Sequence, residues 1–381
     1  MSLETNLPFL FIIPLLLVLF ATVFVTNKVI KLEISSVKYP EIDGVRGYLA
    51  FFVFLHHSYI WNYFLKTNIW QEPDSNLFNH FGQTSVVFFF IITAFLFVTK
   101  LMETRNKPFD WNRYIISRFY RMFPMYILSV LAVFLMVAIF TKFILQSSFL
   151  ELIKNSGSWL FFSINGTKDI NNFEDTFLMN AGVTWTLPYE WMFYFLLPFV
   201  ALLFKIKVPT KILLLFGLGF LVFAVINQAS IRHFLPFLGG GLVVYYIQRN
   251  KLAIDFTKSK FTLLAIILLI IAVVFFHSGR KPIPVLISSL LFLFIAKGNS
   301  FFGLFSNTLS RKFGQITYSL YLIHGIVLFI IFYGIIGLEN AKNLTQMEYW
   351  SIIALSIVPI IIISQLTYLY VEKPFMNILK K

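Results

Sequence analysis

Long runs of apolar residues recur along the chain and are separated by short polar segments. A helix needs about 20 mostly apolar residues to cross a membrane, and eleven runs approach that length. They cover roughly residues 8–26, 47–65, 84–99, 125–145, 185–204, 212–228, 234–248, 261–277, 283–296, 315–336 and 350–370. A transmembrane barrel would show alternating apolar and polar residues instead. The pattern therefore predicts an all-α fold, a polytopic integral membrane helical bundle with about eleven transmembrane helices.

Composition supports this prediction and excludes other protein classes. Hydrophobic residues make up 58% of the 381 residues and charged residues 13%, whereas soluble domains have about 45–50% and about 25%. These values exclude an ordinary soluble enzyme, a disordered protein and a coiled coil. The chain has no cysteine, which excludes disulfides, a thiolate zinc site and a cysteine nucleophile.

The distribution of lysine and arginine predicts how the bundle lies in the membrane. With the N-terminus outside, 23 of the 31 basic residues fall in segments that face the cytoplasm, as the positive-inside rule requires. The other eight are Lys66, Lys142, Lys154, Lys168, Arg232, Arg280, Lys281 and Lys342. We therefore predict N outside and C inside. The net charge of +14 is explained by contact with membrane lipid headgroups, and we predict no nucleic acid partner.

The first apolar run does not resemble a signal peptide that is removed. It lacks a basic segment before it and a cleavage site of small residues after it, both of which signal peptides carry. We predict that residues 1–40 form a retained transmembrane anchor and linker, and that residues 41–381 form the membrane core. No soluble C-terminal domain is expected.

Ionisable residues within membrane spans are costly and therefore indicate function. Arg46 and His57 lie eleven residues apart, which places them on one helix face with about 16 Å between them. This spacing suits a long substrate with phosphates at one end and a reactive group at the other, such as acyl-coenzyme A. Arginine binds phosphate through a fork of donors, and histidine can act as general base. An interfacial anchor is an alternative role for Arg46, and a helix–helix hydrogen bond is one for His57.

Four other residues are candidates for the same site. Glu190 and His324 lie in the spans at 185–204 and 315–336, at depths similar to that of His57, and could orient it or an acceptor hydroxyl. Arg118 and Arg121 share a helix face near the cytoplasm and could bind phosphates beside Arg46. The alternatives are a buried structural pair for the first two residues and membrane anchoring for the arginines.

Six motifs, in order, resemble the acyltransferase-3 family of bacterial membrane O-acyltransferases. The most specific is an arginine followed, after ten residues, by a histidine, here Arg46 and His57. The motifs are residues 42–47 with His56-His57, 81–84 leading into 88–96, Arg118 and Arg121 before Pro124, 185–194, 314–324 and 372–375. One departure is Thr93-Ala94, where Ser-Gly is usual. The resemblance extends from about residue 41 to residue 375.

This resemblance implies ten core spans, an acyl-coenzyme A donor and transfer of the acyl group to hydroxyls of envelope glycans. The N-terminal span is additional to those ten. The resemblance also implies that His57 is the catalytic histidine and that Arg46, Arg118 and Arg121 bind the donor. Some members carry a periplasmic esterase-like domain after the core. We expect direct transfer here, or a separate periplasmic partner.

The resulting hypothesis is that the chain is an O-acyltransferase of the bacterial inner membrane, and an acetyltransferase is the favoured kind. It would use acetyl-coenzyme A as donor substrate, with no permanently bound cofactor, and a glycan or lipid-linked saccharide such as O-antigen as acceptor. His57 would act as general base or as an acylated relay, with Glu190 and His324 as catalytic partners. A transporter or flippase for a polar or lipid-linked glycan is the alternative, and a sensory or scaffolding membrane protein is a third.

Overall fold

The structure is a computed structural model. It describes residues 3–30, 32–34, 38–105, 109–249 and 254–378, apart from the side chains of residues 3–7. Five basic residues that the orientation argument places on the cytoplasmic side lie outside the described residues. They are Lys31, Lys107, Lys251, Lys380 and Lys381.

The described part of the chain is helical and contains no strand. The α-helices are α1 (Leu3–Val29), α2 (Pro40–Thr67), α3 (Asn76–Glu103), α4 (Trp111–Phe140), α5 (Phe149–Leu160), α6 (Thr186–Leu203), α7 (Thr210–Ile226), α8 (Leu235–Arg249), α9 (Ser259–Phe275), α10 (Pro282–Ala296), α11 (Thr308–Gln315), α12 (Thr317–Phe329), α13 (Leu338–Lys342), α14 (Gln346–Thr367) and α15 (Lys373–Asn377). Two π-helical segments, Ile330–Ile335 and Tyr368–Glu372, continue α12 and α14. The predicted all-α class is confirmed.

Six helical segments are long and apolar enough to cross a membrane, judged by length and composition. They are Pro8–Val29, Asn76–Glu103, Trp111–Phe140, Val183–Leu203, Thr317–Ile335 and Gln346–Asn377. Three shorter apolar helices are α7, α9 and α10. The chain is therefore a polytopic helical membrane protein. Each of the eleven predicted spans overlaps a helix, while their number, their orientation and the division at residue 40 stay predictions.

Several helices begin earlier than the apolar runs that predicted them. α3 begins at Asn76, eight residues before the predicted span, because its first two turns bury polar side chains that have hydrogen-bond partners. The Asn79 side-chain amide donates to the His277 carbonyl at 2.8 Å, and Ser278 donates to Gln83 at 2.5 Å. Buried polar groups persist where such partners exist, but they lower the local hydropathy and so hide the helix start.

The first helix packs against the rest of the bundle. The Gln365 side-chain amide on α14 donates to the Thr26 hydroxyl at 2.9 Å, and the rings of Phe11 and Trp350 stack with centroids 6.3 Å apart. Polar contacts of this kind join helices in a membrane, where apolar burial provides little attraction between them. α1 is therefore packed against the bundle through both polar and aromatic contacts.

Candidate active site

Two histidines from distant parts of the sequence meet inside the bundle. His57 lies on α2 and His324 on α12, and the His57 Nδ1 atom is 3.1 Å from His324 Nε2. His324 is fully buried, with 0% of its surface exposed, whereas His57 is only half-buried. Of the two residues, His57 is therefore the one that keeps exposed surface.

Backbone carbonyls determine which nitrogen of each ring carries a proton. His324 Nδ1 lies 3.1 Å from the Leu320 carbonyl, which can only accept, so this nitrogen is the protonated one. In a neutral ring the His324 Nε2 atom then accepts a hydrogen bond from His57 Nδ1. His57 Nδ1 also lies 3.0 Å from the Val53 carbonyl, which is consistent with the same proton position.

The consequence is a free base on His57. Because Nδ1 of His57 carries the proton, its Nε2 has an unshared electron pair. No described residue forms a hydrogen bond to this atom. His57 is half-buried on α2 beside Trp70, and the two ring centroids are 6.4 Å apart with an interplanar angle of 18°. The His57 ring has the form required of a general base or a nucleophile.

Close packing of glycines fixes the start of α2, from which Arg46 projects. A Cβ atom on Gly44 would lie 1.8 Å from the Phe305 carbonyl oxygen, and one on Gly314 of α11 would lie 1.7 Å from the Asp43 carbonyl oxygen. Any larger residue at either position would force the backbones apart. Arg46 itself lies 3.9 Å from the Asp43 carboxylate. Gly44 and Gly314 therefore allow close helix packing, and this packing places the Arg46 guanidinium.

Arg118 and Arg121 project from α4 and contact α3 and the π-helical segment after α14. The Arg118 guanidinium lies over the Phe97 ring, 4.8 Å from its centroid. Arg121 lies 4.0 Å from the carboxylate of Glu372, whose side chain is fully buried. The other oxygen of Glu372 accepts from Ser319 at 3.1 Å. Both arginines thus have defined orientations.

The three arginines line one cavity of about 330 Å³, which we call the arginine cavity. Its wall is formed by residues from α2, α3, α4, α6 and α12. The lining residues are Arg46, Val86, Phe89, Phe90, Ile92, Thr93, Leu96, Phe97, Arg118, Arg121, Met122, Thr186, Leu187, Glu190, Tyr194, Thr317, Tyr318 and Tyr321. From Val86 to Phe97 the cavity follows about 16 Å of α3, so it is elongated as well as basic.

Glu190 belongs to this cavity and not to the histidine pair. Its carboxylate accepts a hydrogen bond from Tyr194 at 2.5 Å, and both residues line the arginine cavity. The sequence predicts Glu190 at the depth of His57, where it could orient that ring or an acceptor hydroxyl; the structure places it in the cavity lining with the arginines and gives it Tyr194 as hydrogen-bond partner, and its role stays a prediction. Neither His57 nor His324 is among the residues lining the cavity.

Tyr321 stands between the arginine cavity and the histidines. It lines the cavity, and its ring centroid is 6.3 Å from that of His324 and 6.2 Å from that of Phe89. Its hydroxyl donates to the Val183 carbonyl at 2.9 Å and lies 3.0 Å from the Thr186 hydroxyl. Tyr321 therefore contacts both parts of the site, and Phe89 packs against it as another residue lining the cavity.

Sequence reasoning missed Glu372 and Tyr321 as members of the site. Glu372 was noted within a motif but given no role, although a carboxylate in an apolar segment is the signal that had identified Glu190. Tyr321 carries no such signal, because tyrosine is common in membrane helices and only its ring contacts with Phe89 and His324 reveal its position.

Of the comparisons with known proteins, the one against family models found a match. A family model described as an acyltransferase domain matches residues 39–369. No curated protein matches the chain, and no solved structure matches it. The family model covers most of the chain, from just before α2 into the π-helical segment that follows α14. The chain therefore belongs to the acyltransferase-3 family and is a membrane acyltransferase.

Proposed function

We propose that this protein transfers an acyl group from cytoplasmic acyl-coenzyme A to a hydroxyl of an envelope carbohydrate at the outer side of the bacterial inner membrane. Acetyl is the acyl group that we favour. The observation that carries the proposal is the pairing of His57 with His324, which leaves His57 Nε2 unprotonated. The arginine cavity supports it, because three guanidinium groups in an elongated cavity suit the phosphates and extended arm of the donor.

In this mechanism the donor binds with its phosphates at Arg46, Arg118 and Arg121. Its pantetheine arm follows α3 toward Tyr321, and Glu190 limits the excess positive charge of the cavity. The thioester reaches His57 when Tyr321, which lines the cavity and contacts His324, moves and opens a path. That opening is a conformational step of the kind that limits many enzymes.

The chemical step uses the free electron pair of His57. Nε2 removes the proton of an acceptor hydroxyl as its oxygen attacks the thioester carbonyl. A carbon–oxygen bond forms, the carbon–sulfur bond breaks, and the imidazolium returns the proton to the departing thiolate of coenzyme A. In the alternative route the same electron pair attacks the thioester carbonyl, the carbon–sulfur bond breaks and coenzyme A thiolate leaves; the acceptor hydroxyl then attacks the acyl group, the bond to Nε2 breaks, and the thiolate takes up the hydroxyl proton. His324 positions the ring in either route.

The experiment measures release of coenzyme A from acetyl-coenzyme A by purified protein in lipid nanodiscs, with envelope glycan extract as acceptor. His57→Ala is expected to abolish release while acetyl-coenzyme A still binds. The matched control is His56→Gln, because His56 is next to His57 but points to the Phe78 carbonyl, 2.8 Å away, and it should retain activity.

Two outcomes would contradict the proposal. One is unchanged release by His57→Ala. The other is failure of the wild-type protein to bind acyl-coenzyme A at all, which would leave transport of a polar solute as the better account of the intramembrane charges. Thermal unfolding of each variant in the same nanodiscs checks that the comparison is between folded proteins.

A further inference from the structure

A second group of basic and aromatic side chains lies where α6 and α8 begin, at the end of the bundle away from the N-terminus of α2. Its residues surround a small cleft, which we call the Trp185 cleft. They are Val86, Val87, Phe90, Trp185, Arg232, His233, Pro236 and Arg280. The cleft has room for about 10 Å³, close to the space that one water molecule needs, so one oxygen atom of a ligand can enter it while the rest of the group lies at its mouth.

The polar side chains of the Trp185 cleft are oriented and partly unsatisfied. The Arg280 guanidinium lies 5.4 Å from the centre of the Trp185 ring and forms an ion pair with Glu72. Arg232 is exposed and forms no ion pair with any residue in the described ranges. One arginine is thus held in place, and the other is available to a ligand.

His233 adds a neutral donor or acceptor to the Trp185 cleft. Its Nδ1 atom is buried and has no hydrogen-bond partner among the described residues. Burial lowers the pKa of His233, and the Arg280 guanidinium lowers it further, so the ring is uncharged near pH 7. A buried polar atom without a partner costs free energy, which a bound ligand would recover.

The position of these arginines departs from the distribution elsewhere in the chain. Under the predicted orientation only eight basic residues lie outside, and three of them, Arg232, Arg280 and Lys281, belong to this one region. Attraction to anionic lipid is strongest on the cytoplasmic side. The ion pair with Glu72 accounts for Arg280, whereas Arg232 at the same end has no ion pair among the described residues.

The Trp185 cleft adjoins the arginine cavity. Val86 and Phe90 line both, and Thr186, the residue after Trp185, lines the cavity. A group held in the cleft would lie behind a wall one side chain thick, next to the proposed path of the donor's acyl end. This arrangement fits a substrate that approaches from the side opposite to the donor.

We propose that the Trp185 cleft binds an anionic group, a carboxylate or a phosphate, carried by the carbohydrate acceptor, and so selects acidic glycans. The inference rests on the proposed transferase function. Arg280 and Arg232 supply charged donors that match either group, and His233, which lines the cleft, has a nitrogen without a partner among the described residues.

The test measures saccharide binding to the full-length protein in phosphatidylcholine nanodiscs without acyl-coenzyme A. The probes are a tetrasaccharide of galacturonic acid and the neutral tetrasaccharide of galactose, and inorganic phosphate is added as a competitor. We expect the acidic saccharide to bind more tightly and phosphate to displace it. Arg232→Gln should weaken its binding by about ten-fold, the effect of one lost charged hydrogen bond.

Control variants separate specific from general charge effects. Lys281→Gln removes an exposed charge beside the cleft that does not line it, and binding should be unchanged. Arg232→Gln is the decisive variant, because an exposed side chain without an ion pair among the described residues is dispensable for folding. Arg280→Lys keeps the charge but loses the planar fork, and an intermediate loss is expected.

Equal binding of the two tetrasaccharides, or full binding by Arg232→Gln, would overturn the proposal. A lipid site would give two results: phosphatidylglycerol would be retained in an arginine-dependent manner in nanodiscs that contain this lipid, and the acidic saccharide would not bind in phosphatidylcholine nanodiscs. Those results too would overturn the proposal. The binding assay contains no donor, so its outcome does not depend on the transfer reaction. If the acidic saccharide binds but His57→Ala still releases coenzyme A in the activity assay, the proposed mechanism is refuted and the anion site stands.

Discussion

At the scale of single residues, the chemistry depends on the proton position within the His57–His324 pair. His324→Ala removes one of the two acceptors near His57 Nδ1 and leaves the Val53 carbonyl, so the ring is held less firmly and its proton can move to Nε2. We expect kcat for coenzyme A release to fall by about 10²-fold, the range of a general-base contribution. KM for acyl-coenzyme A should stay unchanged, because His324 does not line the arginine cavity.

The conservative variant separates positioning from folding. His324→Gln retains a side-chain oxygen that can accept from His57, so part of the activity should return. Equal loss in both variants, with equal thermal stability, would argue against the proton arrangement described here.

A second residue-scale prediction concerns Arg121 and the buried carboxylate of Glu372. Arg121→Ala leaves Glu372 without its cation, 4.0 Å away, and removing one partner of a buried pair is destabilising. We expect a loss of about 1–3 kcal/mol in the free energy of unfolding, reduced because Arg121 is partly exposed. Adding Glu372→Gln should recover most of it.

This double variant also separates stability from donor binding. If Arg121 binds phosphate, Arg121→Ala with Glu372→Gln should be nearly as stable as wild type yet still show a raised KM for acyl-coenzyme A. Recovery of both properties together would indicate that Arg121 serves only the ion pair. Thermal unfolding and coenzyme A release measure the two properties separately.

At the scale of secondary-structure elements, the contact between α11 and the start of α2 positions Arg46. Gly314→Ala would place a methyl group 1.7 Å from the Asp43 carbonyl oxygen, so the two helices must separate. We expect a lower melting temperature and weaker acyl-coenzyme A binding. The matched control is Gly241→Ala on α8, where a Cβ meets nothing within 4 Å and alanine should stabilise the helix by about 0.5–1 kcal/mol.

The contrast between these two glycines tests packing against helix propensity. Both substitutions add the same methyl group to a helix, so propensity alone predicts stabilisation in each case. Destabilisation confined to Gly314→Ala would confirm that close backbone contact determines its effect. Destabilisation by Gly241→Ala as well would contradict the account.

At the scale of the whole molecule, the orientation of the bundle can be tested with single cysteines, because the natural chain has none. Ser306 and Asn340 are exposed and lie on either side of the span predicted at 315–336. With N outside, Asn340→Cys should react with a membrane-impermeant maleimide in spheroplasts. Ser306→Cys should react only after the membrane is permeabilised. The reverse pattern would invert the model of donor and acceptor access.

The sequence determines more about the fold of this protein than about its candidate site. Continuous apolar runs are sufficient to predict a helical membrane bundle, because backbone polar groups in lipid must be satisfied within each segment. Hydropathy did not reveal that α3 begins at Asn76, since Asn79 and Gln83 are polar and only their partners in the loop at 276–279 make their burial favourable.

The sequence by itself also determined the candidate residues and the shared helix face of Arg46 and His57, since both follow from residue type and helical periodicity. The tertiary structure alone decided that His324 contacts His57, that Glu190 faces the arginines, and that Tyr321 and Glu372 belong to the site. These facts depend on how each helix is rotated against its neighbours. Side-chain packing between distant segments sets that rotation, and the periodicity of a single helix carries no information about it.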